Sequence, residues 1–215
     1  MSHAELDPYT AKAQNDDVTP QQKITDLHAI LKAAPTGMLT SRAADGSLHS
    51  RAMAPAGPFE PTQVSLVFIA NKASWKMDEV ANDAHVNASF FNPSSTDWAS
   101  YAGQAKIITD KEVIKKHWNP LVAAWFGDLK DGVHKGDAED PRVIAIELVP
   151  DEIRYWVSTS GKIARTVDVA VGAVTGKTSA PGELRTITKQ EIQLTQGLHS
   201  KTSWIELASF KSLYL

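Results

Sequence analysis

Hydrophobic and polar positions divide this chain into a helical opening, a long run of short strands and a polar tail. Between Thr19 and Pro35, Ile24, Leu27, Ile30, Leu31 and Ala34 recur at helical spacing. Thr19-Pro20-Gln21-Gln22 supplies the start signal, with Thr as cap, Pro at the first helical position and Gln three residues beyond the cap. Pro35 ends the helix. Residues 1–18 are polar and are expected to form a flexible tail.

The next hundred residues read mostly as β. Gly37 to Ser41 is short and half apolar, and Ala44-Asp45-Gly46-Ser47 is a turn. The second arm of that hairpin alternates, with Leu48, Ser50, Ala52 and Ala54 on one face and His49, Arg51 and Met53 on the other. Val64 to Ala70 is almost continuously apolar, as in a strand covered on both faces. A short helix capped by Ser74 follows, with Met77, Val80, Ala81 and Ala84 on one side. Val86 to Phe91 and Trp98 to Thr109 are further strands. Asp110 to Phe126 reads as helical pieces broken near Asn119-Pro120. Val143 to Val149 and Ile153 to Ser158 read as two strands joined at Pro150-Asp151. Six or more hairpin-linked strands with short helices predict a mainly β fold, a closed or partly closed barrel over 19–160. Residues 161–215 are expected to form an extension packed on or beside the barrel, Thr/Gly/Lys-rich from Gly161 to Gly182 and with a late helix within Thr186 to Leu198. No repeat or second core of domain size is evident.

Composition narrows the function classes. The 215 residues are 42% hydrophobic and 22% charged with net charge −3, so no basic field calls for nucleic acid or an anionic membrane. No apolar run reaches the ~20 residues of a membrane helix. There is no cysteine, which removes disulfides and thiolate chemistry and suits a cytoplasmic protein. The acidic, polar N-terminus does not read as a signal peptide or presequence. The seven histidines form no metal-ligand pair, and no G-x-S-x-G elbow supports a hydrolase. Gly172 to Thr178 imitates a phosphate loop but has three residues between its glycines where the motif needs four; it reads as a surface loop.

An anion site is the positive candidate. A helix starting at Ser74, with Lys76 in its first turn, offers N–H groups, a hydroxyl and an ammonium to a phosphate. Arg51 could add a two-pronged contact. Spacing alone supports equally a plain Ser74 cap with a solvated Lys76.

Four segments in order carry a resemblance: GMLTSRAADGSLHSRAMAP, LVFIANKASWKMDEVANDAHVNASF, WASYAGQAKIITDKEVIKKHWNPLVAAWF and DPRVIAIELVPDEIRYW. They resemble the general stress protein branch of the pyridoxamine 5'-phosphate oxidase-like flavoproteins, with longer ends similar to its fungal, blue-light-induced members. The resemblance implies a Greek-key-like split β-barrel, homodimeric, with FMN (or FAD) at the subunit interface. By position it assigns the phosphate to Arg51, Ser74 and Lys76, flavin lining to Ser50, Met53 and Ala54, and backbone and ring-edge contacts to Phe68, Ile69 and Ala70. Trp98 and Trp156 would neighbour the ring from the partner subunit. The Arg-Leu-His-Asp-Arg-like element that true pyridoxamine phosphate oxidases carry after the final strand is missing from the corresponding stretch, RYWVSTSGKIARTVDV, so vitamin B6 oxidation is not expected. The expected role is stress- or light-related redox chemistry on an unassigned substrate, with a flavin module lacking turnover as the alternative. His49 carries no functional assignment and is expected to be structural or exposed.

Overall fold

The computed structural model describes residues 7–15, 17–57, 59–159, 161, 175, 178 and 180–195. Its elements are α1 (Pro8–Ala13), α2 (Pro20–Ala33), β1 (Gly37–Arg42), β2 (Leu48–Met53), β3 (Leu66–Asn71), α3 (Lys76–Asn82), β4 (His85–Phe91), β5 (Trp98–Ile108), α4 (Lys111–His117), a 3₁₀ turn (Pro120–Trp125), β6 (Val143–Ser158) and β7 (Gly182–Ile187). The strands form one antiparallel sheet in the order β2-β1-β4-β5-β6-β3, with β7 paired to β6. The path has two ends, β2 and β3, and the sheet does not close. The segment leaving β2 approaches β3 through one backbone hydrogen bond, Ala56 N to Val67 O at 2.6 Å. The fold is thus a barrel opened along a split between β2 and β3.

One face of the sheet buries the main core, in which α2 inserts Ile24, Leu27, Ile30 and Leu31 against Leu39, Phe68, Tyr101 and Ile146. Thr19 Oγ1 accepts from Gln22 N at 3.3 Å, the cap its sequence signals. A second cluster lies on the opposite side of β3 and β6, where Val67, Val143 and Ala145 meet Ile114 and Phe126 from α4 and the segment after it. Strands covered on both faces need apolar residues throughout, which explains the unbroken run from Val64 to Ala70. The β1–β2 turn carries Gly46 at φ +87°, where a side chain would be strained.

Three expectations change. The segment from Val143 to Ser158 is one strand, not two. Pro150 sits at a bulge, where the register against β5 shifts between Ala102 and Gly103, and a bulge tolerates a proline that an ordinary ladder would not. A Cβ at Gly103 would lie 2.2 Å from Val149 O, so the bulge requires glycine there. Second, the N-terminal stretch expected as a flexible tail contains α1, with Asp7 Oδ1 accepting from Thr10 N and Pro8 at the first position. Tyr9 stacks on Trp156 with ring centroids 5.8 Å apart. Third, the extension contributes β7, tied to α2 by the Arg185–Asp26 ion pair. The following helix, 189–195, is tied to α2 by Lys23–Glu191 at 2.8 Å. The phosphate-loop imitation at 172–178 lies largely outside the described residues.

Candidate functional site

The split between β2 and β3 opens into a cavity of ≈ 1020 Å³. Arg51 and Lys76 stand at one part of its lining; Met53, Ala54, Ile69 and Ala70 give it an apolar wall. The other wall comes from the end of α4 and the 3₁₀ turn, with His117, Trp118 and Trp125.

Arg51 lies on the core-side face of an edge strand, opposite Leu39 of β1. A guanidinium there needs partners, and the structure supplies three. Its Nη2 donates to Glu79 Oε2 at 2.6 Å, and its Nη1 donates to Ser41 Oγ at 2.5 Å and to Leu39 O at 3.3 Å. Ser41 Oγ donates in turn to Glu79 Oε2 at 2.5 Å. Both side-chain acceptors therefore sit at the Nη1/Nη2 end of the guanidinium. Among the described residues, the Nε–H and the second Nη2–H have no partner, and those two donors form the guanidinium's lateral edge.

Glu79 is the buried acid of this cluster, carried by α3 and packed over β1. Its Oε1 accepts from His49 Nδ1 at 2.6 Å. Burial pushes its carboxyl up, but the hydrogen bonds from Ser41, His49 and Arg51 outweigh that and hold it at about 2. His49, more than half exposed, is thus a structural partner of Glu79.

Lys76 begins α3, and its Nζ donates to Ser74 Oγ at 2.7 Å. Its other two N–H donors have no partner among the described residues. Burial lowers its pKa, the Arg51 guanidinium lowers it further, and Glu79 opposes both. Ser74 does not cap the helix. Its hydroxyl donates to Asn71 O at 2.6 Å, and the cap position falls on Trp75, which makes no side-chain cap bond. The cations of this site are therefore side chains, and Ser74 acts behind Lys76.

Of the sequence-derived site residues, Arg51, Met53, Ala54, Ile69, Ala70 and Lys76 line one cavity. Ser50 points to the opposite face of β2, where its hydroxyl lies 2.7 Å from Thr40 Oγ1. Phe68 is buried in the main core. Trp98 and Trp156 face each other across β5 and β6 and border a separate cavity beside Tyr9. Sequence reasoning missed Glu79 and Ser41. The usable signal was an acid one turn beyond Lys76, beside Val80 on the face that meets the sheet. The 118–126 wall was read as broken helix, with Trp118 and Trp125 among several large aromatics of which one or two could flank a flat ring. Among the described residues no group of three or more His, Cys, Asp or Glu could hold a metal ion. No helix is long and apolar enough to cross a membrane, again among the described residues.

Comparison with known proteins agrees with this geometry. The chain is 41% identical over 194 residues to Protein bli-3 of Neurospora crassa, covering 90% of this chain and 92% of the relative. It is similar in structure to General Stress Protein 26 of Bacillus anthracis, at 25% identity and TM-score 0.51, covering 63% of this chain and 92% of the other. It shares its fold with a pyridoxamine 5'-phosphate oxidase-related, FMN binding protein of Nostoc punctiforme, at 13% identity and TM-score 0.52, covering 66% and 86%. The family described as pyridoxamine 5'-phosphate oxidase like matches residues 22–180. An open antiparallel barrel with a cavity at its split, and a matching family over most of its length, place this chain in the pyridoxamine 5'-phosphate oxidase like family.

Proposed function

We propose that the cavity binds FMN, with the phosphate on Arg51 and Lys76 and the isoalloxazine ring along Met53, Ala54, Ile69 and Ala70. The observation that carries this reading is the pairing of two half-buried cations, each with unused N–H donors, beside an apolar wall. An arginine edge and an ammonium suit a phosphomonoester, the first as a fork and the second as a point charge. The cavity matches the upper end of the roughly 300–1,000 Å³ of ligand pockets. The FMN binding named for the Nostoc protein supports the same reading.

A bound flavin supplies hydride and electron transfer, chemistry that needs little from side chains. The protein's part is to hold the phosphate, flatten the ring against an apolar wall and exclude water from it. The role we assign is redox chemistry linked to stress or light. We take the active form to be a homodimer: Met38 and Phe91 are exposed apolar side chains close together on the outer face of β1 and β4. A second copy seated there would cover Met38 and Phe91 and bring Trp98 and Trp156 towards a shared flavin.

One observation favours a flavin module without turnover. Among the described residues, the cavity lining contains no carboxylate, and its histidine, His117, has Nδ1 within 3.2 Å of Gly57 O. Reduction of the flavin-loaded protein by NADH or NADPH, followed by oxygen or quinone consumption, separates the two readings. Lys76→Met tests the phosphate assignment. It should weaken FMN binding by about tenfold or more, the loss of a charge-assisted hydrogen bond, and wild-type affinity in that variant refutes the assignment.

A further inference from the structure

A carboxylate directly behind an anion site is unexpected, because its charge opposes the ligand. Glu79 is such a group: it is buried, it is bound to Arg51, and it lies one turn along α3 from Lys76. Its place is explained by what it does to the arginine. Arg51 stands on an edge strand with a long, rotamer-rich side chain, and freezing such a side chain costs entropy at the moment of binding. Glu79 Oε2, Ser41 Oγ and Leu39 O bind the guanidinium's Nη atoms before any ligand arrives. Three elements thereby fix one group: β1 through Ser41 and Leu39, α3 through Glu79, and β2 through the backbone of Arg51.

We infer that Glu79 is the positioning residue of the anion site, holding Arg51 by its Nη1/Nη2 end so that its lateral Nε/Nη2 edge faces the cavity and selects a phosphomonoester. This rests on the proposed flavin reading and adds a specificity to it: the site should prefer FMN to riboflavin, and the preference should depend on Glu79. His49 belongs to the same device. It occupies Oε1 at 2.6 Å, which leaves Oε2 for Arg51 and Ser41 and keeps the carboxylate from turning.

If Glu79 merely added unfavourable charge, removing it would strengthen FMN binding. If it positions Arg51, removing it weakens FMN binding although the site becomes more positive.

The test is titration of the full chain with FMN and with riboflavin, followed by flavin fluorescence, for wild type, Glu79→Ala, Glu79→Gln and Ser41→Ala. Wild type should favour FMN. Glu79→Ala should lower FMN affinity by about tenfold, the scale of one charge-assisted bond, and leave riboflavin affinity unchanged. Glu79→Gln keeps an acceptor for Arg51 without the charge and should fall between the two. Ser41→Ala, on a different element, should shift FMN in the same direction by a smaller factor and decides the matter with Glu79→Gln if the alanine variant does not fold. FMN affinity that is unchanged or higher in the Glu79 variants overturns the inference while leaving the flavin site standing. A wild type that binds neither ligand, or binds riboflavin as well as FMN, overturns the flavin-phosphate reading and this inference with it.

Discussion

Replacing Arg51 by alanine strips Glu79 of its cationic partner while leaving the carboxylate buried beside Ser41. The size of the penalty follows from the site. Glu79 is held at about 2 against an ordinary 4.5. At about 1.4 kcal/mol per tenfold change, that corresponds to about 3 kcal/mol of preference for the charged form in the fold. Breaking a fully buried ion pair costs ~3–5 kcal/mol. The Arg51 side chain is 25% exposed and that of Glu79 10%, so a discounted loss of about 2 kcal/mol is expected. For a chain of this size that is a fall in Tm of about 4–8 °C. The double variant Arg51→Ala/Glu79→Ala removes both charges and should recover stability to within about 1 kcal/mol of wild type, yet still bind FMN about tenfold or more weakly than wild type. The pH dependence has a definite sign. The folded carboxyl lies below its unfolded value, so the stabilisation is complete above about 4.5 and disappears as pH falls towards 2. Wild type and Arg51→Ala should therefore converge in stability over that acidic range. Thermal denaturation of the flavin-free proteins from neutral pH downwards measures all of this. A single variant as stable as wild type at neutral pH, or a double variant no more stable than the single, refutes the reasoning.

Gly103→Ala should lose about 1–3 kcal/mol, read as a lower Tm, because its Cβ would lie 2.2 Å from Val149 O and 2.6 Å from Pro150 Cα. Met38→Glu/Phe91→Glu places charges on the outer face of β1 and β4, where Phe91 is 58% exposed. It should sediment as a monomer while wild type sediments as a dimer, and a wild type that is itself monomeric contradicts the interface.

The parts of the fold with strong local chemistry were legible in the sequence. Thr19-Pro20, Asp45-Gly46 and Asn119-Pro120 each fall where the structure caps a helix, turns a hairpin or starts a 3₁₀ turn. The Val64 to Ala70 run signalled a strand buried on both sides. Pro150 misled because a proline usually ends a strand, and the accommodating Gly103 lies on another strand, remote in sequence. Strand β7 was missed because Glu183 and Arg185 break its apolar signal; both make ion pairs with the rest of the fold or with each other. The Asp7-Pro8 start of α1 was a readable cap and proline signal in a segment judged by its polarity.

At the site, alternation correctly put His49, Arg51 and Met53 on one face of β2, and strand-end position brought Ile69 and Ala70 to the same cavity. Glu79 stayed hidden because its burial depends on α3 packing over β1, and its place beside Val80 on the helix face that meets the sheet is only a weak local signal. Ser74 misled because a serine before a helix reads as a cap, whereas here its hydroxyl turns back to Asn71 O.

The central claim is that the cavity at the split holds a flavin by its phosphate. Its most direct test is the absorption spectrum of the purified full-length protein, with mass spectrometry of whatever it releases on denaturation. A yellow protein with a flavin spectrum that releases FMN is the predicted result. A colourless protein that shows neither a spectral change nor a thermal shift when FMN is added would contradict it.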